Sequence, residues 1–115
     1  MDLKLRTREV NGVMVVGLTG RVTMGEACAT IRDEVHDEIG HGHKKILLDL
    51  GEVSYIDSAG LGELTSAFTS VKNRDGELKL VNLTKRVHDL MQITKLYTVF
   101  DVYDDERQAI ASFRS

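Results

Sequence analysis

Val53-Ser54-Tyr55-Ile56-Asp57-Ser58-Ala59-Gly60-Leu61-Gly62-Glu63-Leu64 carries the chain from a strand-like apolar run into a helix-like one, with one serine at the change. Upstream, Ile46-Leu47-Leu48-Asp49-Leu50 is nearly continuous in apolar character, as an interior strand covered on both faces requires. Downstream, Leu61, Leu64, Ala67, Phe68 and Val71 recur at helical spacing until Asn73-Arg74-Asp75-Gly76 closes the segment. Leu78, Leu80 and Asn82 then alternate with Lys79 and Val81 as the next strand. The result is a βαβ unit, and with it an α/β fold.

The flanks extend the alternation. Leu3, Leu5 and Val10 interleave with Lys4, Arg6 and Glu9, and Asn11-Gly12 precedes Val13-Met14-Val15-Val16-Gly17-Leu18. That pattern predicts an antiparallel hairpin with a tight turn. Ala27, Ile31, Val35 and Ile39 recur every four residues from Glu26 on, ending at Gly40, which predicts a one-faced surface helix stopped by glycine. Thr84 is placed to cap a short helix carrying Val87, Leu90 and Met91. Val99-Phe100-Asp101-Val102 reads as a brief edge strand, and Asp104 as the opening of a terminal helix burying Ala109, Ile110 and Phe113.

At 115 residues, 42% hydrophobic and 29% charged, the chain suits one folded α/β domain over residues 1–115. A formal net charge of −3 argues against a nucleic-acid footprint. No apolar run approaches the ~20 residues of a membrane span, and the alternating start Met1-Asp2-Leu3-Lys4-Leu5-Arg6 lacks a secretory apolar block, so a cytoplasmic protein without membrane insertion is expected. The single cysteine, Cys28, reads as a small buried helix-face residue.

Ser58 precedes the first helix-periodic residue, so its hydroxyl could serve as the N-cap. Gly60 and Gly62 argue that capping is not the whole story, since each glycine costs a helix interior ~1 kcal/mol. Bare backbone there suits the close approach of a partner surface or a phosphate donor to the serine. Asp57, Ser58, Ala59, Gly60, Leu61 and Gly62 are therefore the candidate contact residues, with Gly60, Leu61 and Gly62 as a ledge and Asp57 shaping the electrostatics.

The string Asp57-Ser58-Ala59-Gly60-Leu61-Gly62 resembles the phosphorylation loop of the bacterial anti-sigma factor antagonists, whose domain is named STAS for its occurrence in sulfate transporters and these antagonists. The resemblance extends over Ile46 to Leu50, Met91-Gln92-Ile93-Thr94-Lys95-Leu96, Val99-Phe100 and Ala109, almost the whole chain. It implies a small mixed sheet of four to five strands with about four helices mainly on one face. It further implies that Ser58 is phosphorylated by a partner that is both serine kinase and anti-sigma factor, that the unmodified form binds this partner, and that a phosphatase resets the switch. The nucleotide would belong to the partner. Many relatives carry aspartate where Thr23 stands, close to the phosphorylated serine; Thr23 is a candidate partner-binding residue or second acceptor, or part of the N-cap region of the first helix.

Other classes fit less well. A constitutive interaction module, such as a stress-signalling scaffold or a subunit beside a lipid-transport ATPase, would leave Ser58 as a simple cap. A hydrolase nucleophile elbow needs glycine two residues before the serine, where Ile56 stands, and no histidine is tied to Ser58 by spacing. No enzyme activity is expected. His41-Gly42-His43 lacks a third ligand at useful spacing, so no metal is expected. The Gly-rich phosphate loop is missing, so no cofactor is expected either.

Overall fold

A computed structural model describes residues 3–113 of the chain; the first two residues of the segment read as lacking a secretory block lie outside it. β1 (Lys4–Val10) and β2 (Val13–Val22) form an antiparallel hairpin, and its turn places Asn11 at φ 51° and Gly12 at φ 82°, as an Asn-Gly hairpin demands. α1 (Glu26–Gly40) leads to β3 (Lys45–Ile56), α2 (Ser58–Asn73) to β4 (Glu77–Val81), and α3 (Lys85–Thr94) to a short β5 (Val102–Tyr103). The sheet order is β1-β2-β3-β4-β5, parallel from β2 onward. α4 (Glu106–Ala111) is the last element among the described residues. This is the mixed α/β sheet expected.

Side-chain alternation along the inner strands sorts the core into two layers. Ile46, Leu48 and Leu50 of β3 point with Val16 and Leu18 of β2 toward Ile31 and Val35 of α1, Leu61, Leu64 and Val71 of α2, and Val87 and Met91 of α3. Leu47, Val13, Val15 and Val81 point the other way, toward Ala109, Ile110 and Phe113. Among the described residues, three helices thus cover one face and α4 alone the other.

Several boundaries depart from the sequence reading. β3 runs on past Leu50 to Ile56 because its ladder with β2 continues, Glu52 opposite Thr19 and Ile56 opposite Val22, although Glu52 and Ser54 are exposed. The brief edge strand expected over residues 99–102 forms later and shorter, as Val102–Tyr103 beside β4. Leu96–Thr98 is a 3-10 turn, and Phe100 is buried edge-on against Phe68, ring centroids 5.5 Å apart. Asp105, not Asp104, caps α4, its carboxylate accepting from the N–H groups of Arg107 and Gln108. Gly40 lies within α1, and Gly42 at φ 85° takes the left-handed position. Thr84 caps α3 as expected, accepting from the Val87 N–H at 3.3 Å.

Candidate functional site

β3 delivers Asp57 and Ser58 to the C-terminal edge of the parallel strands, where ligands of open α/β sheets are usually met. The cap of α2 is Asp57, not Ser58. Asp57 Oδ1 accepts from the Gly60 N–H at 2.7 Å, and Oδ2 from the Met24 N–H at 3.1 Å in the loop that follows β2. The Gly60 N–H, with that of Met24 behind it, holds the Asp57 carboxyl below its ordinary range. One carboxylate therefore satisfies the helix start and fastens the neighbouring loop to it.

Ser58 is the first residue of α2 and is exposed, and among the described residues no hydrogen bond takes up its Oγ. The capping role expected as its simplest duty is filled by the residue before it. Its hydroxyl faces a groove of about 710 Å³, bounded by Tyr55, Ile56 and Asp57 on one side and by Lys85, Arg86, Asp89, Leu90 and Ile93 of α3 on the other. Ile93 is 77% exposed on the rim.

The glycines divide their duties. A Cβ on Gly60 would lie 2.1 Å from the Val22 carbonyl oxygen, so bare backbone here lets the first turn of α2 press against the end of β2. Gly60 and Leu61 are both buried, which corrects the expectation of a three-residue ledge. Gly62 is exposed with nothing within 4 Å of its would-be Cβ, and Ala59 is half-buried, its carbonyl accepting from Cys28 Sγ at 3.6 Å. Of the expected ledge, only Gly62 remains at the surface. Burial, with the charges of Glu63 and Asp57 adding, pushes the Cys28 thiol up, so it stays protonated beneath the site.

Thr23 is half-buried and lines a separate groove with Arg21, Met24 and Glu26. It is not the cap of α1: Gly25 holds that position with no side-chain bond. Its neighbour Met24 is the residue that meets Asp57. The sequence reading missed the α3 side of the Ser58 groove. Leu90 borders the Val87 and Met91 stripe that α3 packs on the core, whereas Ile93 falls off it and is exposed, and that mismatch with helical spacing is the signal that could have marked this wall.

Arg21 and Arg86 place their guanidinium carbons 5.4 and 5.0 Å from the centroid of the Tyr55 ring. Deeper in, Glu63 is 9% exposed and accepts from Arg32 at 2.8 Å, joining α2 to α1. The described residues contain no cluster of His, Cys, Asp and Glu able to hold a metal ion, and no helix long and apolar enough to cross a membrane.

A mixed sheet whose central strand hands an exposed serine to a carboxylate-capped helix defines the class of the fold, a single α/β domain with its candidate site at a strand-to-helix junction. The STAS domain model matches residues 4–109, and the chain belongs to the STAS domain family. It is 27% identical to BtrV of Bordetella bronchiseptica, assigned as an anti-sigma factor antagonist, over 98% of this chain and 97% of that one. It is 45% identical to the anti-sigma-B factor antagonist of Bacillus subtilis over 46% of this chain and 49% of that one. A crystal structure of a Thermotoga maritima protein assigned as an anti-sigma factor antagonist superposes with a TM-score of 0.88 at 25% identity, covering 96% of this chain and 95% of that one.

Proposed function

We propose that the chain is an anti-sigma factor antagonist that docks an anti-sigma factor with serine kinase activity through the Ser58 face, and that phosphorylation of Ser58 ends the docking. The observation that carries this reading is the freedom of the Ser58 hydroxyl: Asp57 does the capping, and Ser58 Oγ is left exposed beside a groove. The names of the relatives support the partner class. A passive scaffold would have a use for Ser58 only as a cap, and that position is taken.

In the transfer, Ser58 Oγ attacks the γ-phosphorus of ATP held by the kinase. The new Oγ–P bond forms as the bond from that phosphorus to the bridging oxygen breaks. ADP leaves, and the hydroxyl proton passes to a base of the kinase. A phosphatase reverses the state by hydrolysis, with water returning the hydroxyl and releasing inorganic phosphate. The chain supplies the acceptor and the docking surface, without a catalytic role, and acts in the cytoplasm where the sigma factor is used.

Capture experiments with the purified anti-sigma factor separate the readings. The parent chain and Ser58→Ala should be retained and Ser58→Asp lost, while mass spectrometry after incubation with the kinase and ATP should find one phosphate, on Ser58. Equal capture of all three, with no phosphate on Ser58, would support the constitutive module instead.

A further inference from the structure

Arg86 stands in the same groove as the Ser58 hydroxyl, and its guanidinium is not spent on any carboxylate among the described residues. Its recorded partner is the face of Tyr55, a contact worth only about 0.5–1 kcal/mol at an exposed site. The other charges around this space are committed. Lys85 Nζ donates to Asp89 Oδ2 at 2.8 Å, Asp89 Oδ1 also lies 3.6 Å from His88 Nδ1, and Asp57 is held by the Gly60 and Met24 amides. Arg21 rests on the Tyr55 ring and lines the neighbouring groove with Thr23.

We propose that Arg86 is the receptor for the phosphoryl group on Ser58, leaving the Tyr55 ring to pair with it across the groove. The inference rests on the proposed function for the occurrence of the modification, but not for the pairing itself. A phosphoserine at position 58 carries three acceptor oxygens and about −1.5 to −2 charges at pH 7. The planar fork of arginine matches such an oxyanion with two parallel hydrogen bonds, which a ring face cannot offer. Asp57 repels the new charge from its own side of the groove, which favours the α3 side. Arg21 remains on Tyr55 when Arg86 leaves, so the ring keeps a cationic partner. The pairing ties α3 to the start of α2 and fills the groove from within, adding occlusion to the charge that phosphorylation brings.

The test uses the full chain with phosphoserine placed at position 58 during translation, so the result does not depend on a kinase. Phosphorus NMR follows the second ionisation of the phosphate in the parent chain and in Arg86→Gln, Arg86→Lys and Lys85→Gln. The ionisation should lie roughly one pH unit lower in the parent than in Arg86→Gln. Arg86→Lys should fall between them, and Lys85→Gln should stay near the parent. The Tyr55 ring resonances should move on phosphorylation in the parent and not in Arg86→Gln. Equal ionisation in parent and Arg86→Gln overturns the assignment. So does a rise in Lys85→Gln as large as in Arg86→Gln, because the phosphate then senses only the general field of the groove. Affinity for the anti-sigma factor is measured separately on the same proteins: a normal Arg86 effect with unchanged affinity would refute the switch while leaving the pairing intact.

Discussion

Gly60 and Gly62 sit two residues apart in one helical turn and answer to different forces. Gly60→Ala pushes a methyl onto the Val22 backbone, where no side chain can yield, and should cost about 2–4 kcal/mol in denaturant unfolding. Gly62→Ala meets open space and should stabilise by about 0.5–1 kcal/mol while weakening capture by the anti-sigma factor; capture unchanged would remove Gly62 from the docking surface. Asp57→Ala should cost about 1–2 kcal/mol through the lost cap. Since the folded Asp57 carboxyl titrates below its ordinary value, its contribution is complete above about pH 4 and is lost as the pH falls through the lowered value. The motif was legible at this scale because Asp-Ser at a strand-to-helix change is a local signal. Which of the two residues caps was not legible, since either oxygen can reach a first-turn amide and the choice depends on where β2 ends.

At the scale of elements, α4 has six residues, too few to stand alone, and is pinned by Lys79, buried on the strand face opposite the α1–α3 layer. Lys79 Nζ donates to the Ser112 carbonyl at 3.0 Å and to Ser112 Oγ at 2.9 Å, and lies 4.9 Å from the Phe113 ring centroid. Arg8 pairs with Glu106 from the β1 edge. Lys79→Met should therefore lose about 1–3 kcal/mol, and amide exchange should accelerate first in α4 while α2 keeps its protection; uniform loss of protection would contradict the pinning role. In α1, Glu34 is pushed up to about 7 by its hydrogen bond to Glu38, with burial and the charges of Glu38 and Asp37 adding. Burial works against ionised Glu38, but the hydrogen bonds from Glu34 and His43 outweigh it and leave that carboxyl lowered. The proton on Glu34 is thus held more tightly folded than unfolded, so its stabilisation is present below about pH 4.5 and fades as the pH rises through 7. Glu34→Gln should melt higher than the parent at pH 8 and alike at pH 5; the same difference at both would exclude the shared proton. Helices and inner strands were readable from their periods, although of the expected N-caps only Thr84 stands where it was placed. The terminal helix burying Ala109, Ile110 and Phe113 was readable too, but the stretch 96–101 was not, because Phe100 spends its apolar character on Phe68 across the chain rather than on a ladder. The extension of β3 past Leu50 was not readable either, because it carries polar residues that pairing with β2 keeps extended.

Over the whole molecule, the sheet presents Ser58 at its C-terminal edge, and under the proposed function charge decides whether the partner docks. A phosphate at the N-terminus of α2 sits where the helix dipole favours an anion, so the fold should tolerate it. A partner carboxylate about 6 Å away would feel roughly 4–5 kcal/mol of repulsion at an effective dielectric of 20, before screening. Half of that already exceeds a tenfold change in affinity at ~1.4 kcal/mol per decade. The STAS fold was legible from the alternation of periods and from the Asp57 to Gly62 string; the α3 wall of the groove was not, because a long-range juxtaposition leaves no local pattern. Titration calorimetry of the anti-sigma factor with the unmodified chain and with the chain bearing phosphoserine at position 58 tests the central claim most directly. The account predicts more than tenfold weaker binding of the phosphorylated chain at an unchanged melting temperature, and equal affinities for the two forms would contradict it.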